Sequence, residues 1–122
     1  MKDVIVYAEH RNGDTRKVTF EMATQARALA DALGGRAHAV VVGSGSQSLA
    51  EQLARYPLDV VHWSDDADVD RFLLDPAVDY VAAVAKDTGS ALVLVANTLS
   101  GRDLAGKLLA RLNAGIAADV TE

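Results

Sequence analysis

Short β-branched runs alternate along the chain with longer stretches in which apolar residues recur every three or four positions. Asp3 to Ala8 reads DVIVYA, a strand. Val18 to Leu33 places apolar residues at 18, 22, 26, 29 and 33, which lines one face of a helix. Gly34-Gly35 stops that helix, because glycine accepts the left-handed conformation a helix end needs. Ala37 to Val42 is a second strand, almost uniformly apolar, and Ser46 to Arg55 a short helix ended by Tyr56-Pro57. Leu58 to Trp63 is a third strand, and Ser64 to Asp70, with four aspartates, an exposed loop. Asp75-Pro76 opens the next helix: the aspartate caps free N–H groups and proline fits the first turn. It runs to about Thr88, with Gly89 at its end. Ala91 to Ala96 reads ALVLVA, a fourth strand. A polar loop from Asn97 to Asp103 leads to a helix from Leu104 to Leu112, with Asp103 as its cap and Leu104, Leu108 and Leu112 on one face. Ile116 to Val120 is a fifth strand.

The second and fourth strands lack in–out alternation, so both of their faces are covered, as in a parallel sheet between helix layers. Right-handed crossovers then predict one α/β domain, a doubly wound, mainly parallel, Rossmann-like sheet of strand order 3-2-1-4-5 spanning residues 1–122. Such sheets bind ligands beyond the carboxyl ends of the strands, where the winding reverses. Here that place lies between the first and fourth strands. The residues facing it are Ala8, Glu9 and His10 on one side and Asn97, Thr98, Gly101, Arg102 and Asp103 on the other.

Composition narrows the field. The 122 residues suit a single core, and half of them are hydrophobic. A net charge of −5 repels phosphate backbones and anionic lipid heads, which argues against nucleic acid and membrane-surface partners. The chain has no cysteine, which removes disulfides, thiolate metal sites and a cysteine nucleophile. No signal-peptide pattern precedes the first strand, and no apolar stretch approaches the ~20 residues that span a bilayer. A cytoplasmic location is expected. Arginine outnumbers lysine and alanine is abundant, as in a GC-rich bacterial source.

Few motifs carry chemistry. Gly43-Ser44-Gly45-Ser46 follows a strand and opens a helix, where backbone N–H groups can cradle a phosphate. It lacks the third glycine of the dinucleotide fingerprint and follows the second strand, so it reads as a flexible β–α turn. His10, His38 and His62 show no i, i+4 pair, so no metal site is expected. His38 and His62 lie within strands and read as packed or edge residues; His10 alone stands at the cleft mouth. The aspartates at 65, 66, 68 and 70 lack the glycine and glutamate of a calcium loop. No nucleophile elbow is present, so no catalytic residue is assigned.

Two blocks resemble the electron transfer flavoprotein alpha subunit. The first is Val4-Ile5-Val6-Tyr7-Ala8-Glu9-His10, a polar turn with Asn12-Gly13, then Lys17-Val18-Thr19-Phe20-Glu21. The second is Thr98-Leu99-Ser100-Gly101-Arg102-Asp103-Leu104-Ala105, followed by Leu108 to Leu112 and Asp119-Val120-Thr121. The Val40-Val41-Val42-Gly43 strand end also fits, and together the matches run from end to end of the chain. Gly106-Lys107 departs from the usual Pro-Arg. The larger departure is that the resemblance implies a following C-terminal domain with most of the FAD contacts, which these residues do not include. A truncated chain or a proteolytic fragment is expected more than a stand-alone relative.

The resemblance implies that alpha and beta subunits pair, and that FAD in the full-length alpha subunit carries electrons from acyl-CoA and related dehydrogenases, the chemistry of fatty acid β-oxidation, to the respiratory chain. It implies that this N-terminal domain is mainly scaffold against the beta subunit, whose related domain carries AMP, and is not a catalyst on its own. No cofactor is expected in this piece, and a homodimer of the isolated domain is expected where the missing partner leaves the Ile116 to Val120 edge bare. The alternative is an adenine-nucleotide module with AMP or ATP in the cleft between the first and fourth strands. Against it, the loop after the fourth strand lacks the glycine-rich phosphate pattern of stress-type proteins.

Overall fold

A computed structural model describes residues 2–11, 14–15, 17–65, 75–96, 98–112 and 117–120. In chain order they form β1 (Asp3–Tyr7), β2 (His10–Arg11), β3 (Asp14–Thr15), α1 (Lys17–Leu33), β4 (Ala37–Val42), α2 (Ser46–Leu53), β5 (Val60–Ser64), α3 (Asp75–Thr88), β6 (Ser90–Ala96), α4 (Leu99–Leu112) and β7 (Ala117–Val120). The main sheet has the order β5-β4-β1-β6-β7 and all its pairings are parallel. The first four long strands take the order expected, and β7 joins the far side of β6 in an irregular register. The α/β class and the doubly wound, mainly parallel sheet are as expected.

The apolar strands are explained by the two layers they separate. Along β1, Val4 and Val6 pack with Val18, Met22, Ala26 and Ala30 of α1, while Ile5 and Tyr7 pack into a cluster with α3 and α4. Ala39 and Val41 of β4 meet Leu49 and Leu53 of α2, and Val40 and Val42 point to the other face. Successive side chains alternate sides, so a strand buried on both faces must be apolar throughout. Helices α1 and α2 thus share one face and α3 and α4 the other. The winding reverses between β1 and β6.

Three local readings change, and the glycine stop of α1 is as expected. The buried stripe of α1 continues through Ala30, leaving Leu29 36% and Leu33 41% exposed. Small alanines are what let this helix lie close on the strands. The helix ends with Gly34 at φ +77°, its N–H bonded to the Asp31 carbonyl and that of Gly35 to the Ala30 carbonyl, the paired closure of a left-handed helix end. The segment after β1 holds a small antiparallel pairing, His10 with Thr15 and Arg11 with Asp14, where a polar turn alone was expected. Asn12-Gly13 between them is the sequence signal for it. The last change matters most. Helix α4 begins at Leu99, so Asp103 is an exposed residue inside it and caps nothing.

Candidate functional site

The reversal point of the sheet lies where β1 and β6 end, and the chain fills it with its own polar groups. Thr98, just past β6, is the cap of α4. Its Oγ1 accepts the Gly101 N–H at 2.9 Å, and its carbonyl accepts the Arg102 N–H at 2.9 Å. The same hydroxyl donates to Glu9 Oε1 at 2.7 Å. A carboxylate therefore stands beside the N-terminus of α4, where backbone dipoles favour negative charge. The cap sits five residues earlier than the Leu-rich periodicity suggests, because Gly101 has no side chain to show in that pattern. Its lack of one is required: a Cβ there would lie 2.1 Å from the Ala96 carbonyl oxygen.

The loop after β1 runs across the neighbouring strand ends. Ala8 is fully buried and its N–H bonds to the Val40 carbonyl at 2.9 Å. The His10 Nε2–H donates to the Val42 carbonyl at 2.8 Å, which ties β2 to the end of β4. The Thr15 hydroxyl donates to the Glu9 carbonyl, and its oxygen also lies 2.7 Å from the buried Thr19 Oγ1. Beneath this strap, burial, and after it the nearby Glu9, push the Tyr7 phenol far above its usual range.

Of the eight residues expected at the cleft, Glu9, Thr98 and Gly101 meet directly, and Ala8 and His10 hold the loop that brings Glu9 there. Arg102 is exposed, with Nε 3.4 Å from the Thr98 carbonyl, and Asp103 is exposed one residue on. Asn97 lies outside the described residues, as do the aspartates at 66, 68 and 70. The Gly43–Ser46 turn is closed by its own bonds. The Gly43 N–H donates to the Ser64 carbonyl at 2.8 Å, the Ser46 N–H to the Gly43 carbonyl at 3.1 Å, and the Ser46 hydroxyl to the Ser64 carbonyl at 2.9 Å. The Gly43 N–H and the Ser46 hydroxyl fasten the turn to the end of β5, and the Ser46 N–H closes the turn on itself. Among the described residues no group of three or more His, Cys, Asp or Glu is placed to hold a metal ion, and no helix is long and apolar enough to cross a membrane.

Sequence reasoning missed two polar arrangements at the opposite end of the sheet. Asp59 Oδ2 accepts the Ala37 N–H and an Arg27 Nη1–H, both at 2.8 Å. The Ala37 N–H and the Arg27 contact hold the Asp59 carboxyl below its usual value, burial opposing only in part. Asp3, His38 and His62 form a second arrangement across three strands. No spacing announces either one, because each depends on which strands become neighbours.

This geometry can be set beside known proteins. Residues 4–122 match the model of the electron transfer flavoprotein domain. The alpha subunit of an electron transfer flavoprotein from Mycobacterium tuberculosis (strain CDC 1551 / Oshkosh) is 36% identical over 124 residues, all of this chain and 37% of that subunit. The corresponding subunit from Bacillus subtilis (strain 168) is 31% identical over 99% of this chain and 37% of its own length. Subunit LctC of a lactate dehydrogenase (NAD(+),ferredoxin) from Acetobacterium woodii is 30% identical over 98% of this chain and 29% of its own. The chain spans 29% to 37% of the length of these relatives, and corresponds to their N-terminal part. It belongs to the electron transfer flavoprotein domain family, as the N-terminal domain of an alpha subunit.

Proposed function

We propose that this domain is a scaffold and subunit-interaction module of an electron transfer flavoprotein. In the whole heterodimer, FAD would carry electrons from acyl-CoA and related dehydrogenases to the respiratory chain. The observation that carries the reading is the self-filled cleft. The place where such a sheet takes a ligand holds the Glu9–Thr98–Gly101 contact. A nucleotide phosphate would have to displace a carboxylate and compete for an N–H that Thr98 already satisfies. That favours a supporting role over an AMP or ATP module. FAD contacts then fall to the part of the subunit outside these 122 residues, and AMP to the beta subunit. The domain works in the cytoplasm, transfers no electrons by itself and catalyses nothing alone.

Its partner is the beta subunit, and β7, last in the sheet order among the described residues, leads the isolated domain to self-associate when that partner is missing. The test is to purify the 122-residue chain, record its absorbance, and run it by sedimentation with and without a cognate beta subunit. A colourless chain that joins the beta subunit is the expected result. A flavin band near one per chain would overturn the scaffold reading. So would a clean monomer at all concentrations with no affinity for the beta subunit.

A further inference from the structure

At the end of the sheet remote from the cleft, three titratable side chains from three adjacent strands form one hydrogen-bonded line. His38 Nε2 lies 2.8 Å from Asp3 Oδ2, and His38 Nδ1 lies 3.1 Å from His62 Nε2. The two imidazoles stack with centroids 5.3 Å apart and planes 25° from parallel. Asp3 Oδ1 accepts the Arg36 N–H at 2.9 Å, which fixes the carboxylate at the base of the line. His38 is buried, with 3% of its surface exposed, whereas His62 is half-buried on β5, one of the two edge strands of the sheet.

Hydrogen-bond chemistry assigns the protons. An ionised carboxylate only accepts, so His38 Nε2 carries its hydrogen. The second nitrogen of a neutral His38 is then an acceptor, and His62 Nε2 must be the donor facing it. That leaves the lone pair of His62 on Nδ1. We propose that this line is a proton relay that makes the attachment of the β5 edge sensitive to acid. A proton bound at His62 Nδ1 lets the Nε2–H bond of His62 break as an Nδ1–H bond forms on His38. The positive charge then rests on the buried ring against Asp3, and the His38–His62 bond survives with its direction reversed. A second proton has no such outlet. Both facing nitrogens would carry hydrogens at 3.1 Å, and two stacked cations would result, so His62 must leave its partner.

The surroundings are consistent with one easy and one costly proton. Asp3 of β1 is the anion on the line, and Arg36, ahead of β4, acts on Asp3 from outside. Burial pushes the Asp3 carboxyl up, but the Arg36 N–H, His38 and the Arg36 charge outweigh it, so Asp3 stays ionised well into acid. On α3, packed over the same face, Asp79, Lys86 and Asp87 are exposed, and the Tyr80 hydroxyl donates to the Trp63 carbonyl at 3.2 Å. Asp59, next to β5, is engaged by Ala37 and Arg27. Burial, and after it the charge of His38, lower His62 from the ordinary 6.5. Stability tied to His62 is therefore whole above that value and lost as pH falls through the lowered one.

A histidine NMR titration of the 122-residue chain tests this independently of the scaffold reading. The two rings should titrate as a coupled pair in two separated steps. The first step should move the His62 hydrogen from Nε2 to Nδ1, seen in the ring nitrogen shifts. The second should lower the amide-exchange protection of Val60 to Ser64. His62→Gln keeps an N–H donor for His38 but takes no proton, so its β5 protection should not change between about pH 7 and 5. His10→Gln should leave both steps in place. Independent one-step titration of His38 and His62 would overturn the relay, and so would wild-type acid sensitivity of β5 in His62→Gln.

Discussion

The two ends of the sheet use opposite hydrogen-bonding chemistry. At the N-terminal ends of the strands, the side chains that close the sheet are acceptors. Asp3 takes the Arg36 N–H and Asp59 takes the Ala37 N–H. At the C-terminal ends they are mainly donors: His10 to the Val42 carbonyl, Ser46 to the Ser64 carbonyl and Thr15 to the Glu9 carbonyl. Parallel strands all leave N–H groups at one end and carbonyls at the other, and each buried group must find a partner. The polarity of the sheet thus selects carboxylates for one end and hydroxyls and imidazole for the other. The carboxylate end is held by charge and yields to acid. The hydroxyl end is held by close fit and yields to added volume. Glu9 is a carboxylate at the second end, and it serves a helix N-terminus.

The sharpest test of the fitted end is Gly101→Ala. Alanine is the better helix former by ~1 kcal/mol, which would stabilise α4 if the site were open. With a Cβ only 2.1 Å from the backbone oxygen of Ala96, the start of α4 must instead move. A net loss of roughly 3 kcal/mol is expected, read from the denaturant midpoint. A midpoint at or above the wild-type value would show that this end is not close-packed.

At the charged end, Asp59→Ala leaves the buried Ala37 N–H without its acceptor and should cost ~1–3 kcal/mol. Its pH dependence separates charge from fit. The lowered carboxyls of Asp3 and Asp59 contribute stability that is complete above the ordinary 3.8 and lost as pH falls through their folded values. Removing Asp59 should flatten the loss of stability below about pH 4, measured by thermal melts in acid. Gly101→Ala should shift the whole curve without changing its slope there. Equal acid slopes for wild type and Asp59→Ala would end the contrast between the two ends.

The smallest effect separates two candidate caps of α4, Thr98 and Asp103. Thr98→Ala removes the cap and the partner of Glu9, at a cost of ~1 kcal/mol, and Thr98→Ser should recover most of it. Asp103→Ala should leave the denaturation midpoint in place, since Asp103 is an exposed residue within the helix. The reverse result would return the helix start to Leu104.

The sequence by itself determined the layers. Alternating periods separated strands from helices, and apolar runs such as Ala37 to Val42 revealed a parallel sheet covered on both faces, because burial on both sides excludes polar residues at every position. It also placed Glu9 and Thr98 at the reversal point, since that point follows from strand order alone. The helix start at Leu99 was hidden because a cap is a hydrogen bond and not a period: Thr98 looks like any loop threonine until Gly101 comes within reach. The α1 stripe showed the same limit, since Leu29 and Leu33 fit a helical face but lie to one side of the line that the sheet presses on. Only the tertiary structure joined Asp3 to His38 and His62, or Asp59 to Ala37 and Arg27. These partners lie 22 to 35 residues apart in the chain. Parallel register decides their meeting, and register is set by the packing of whole layers.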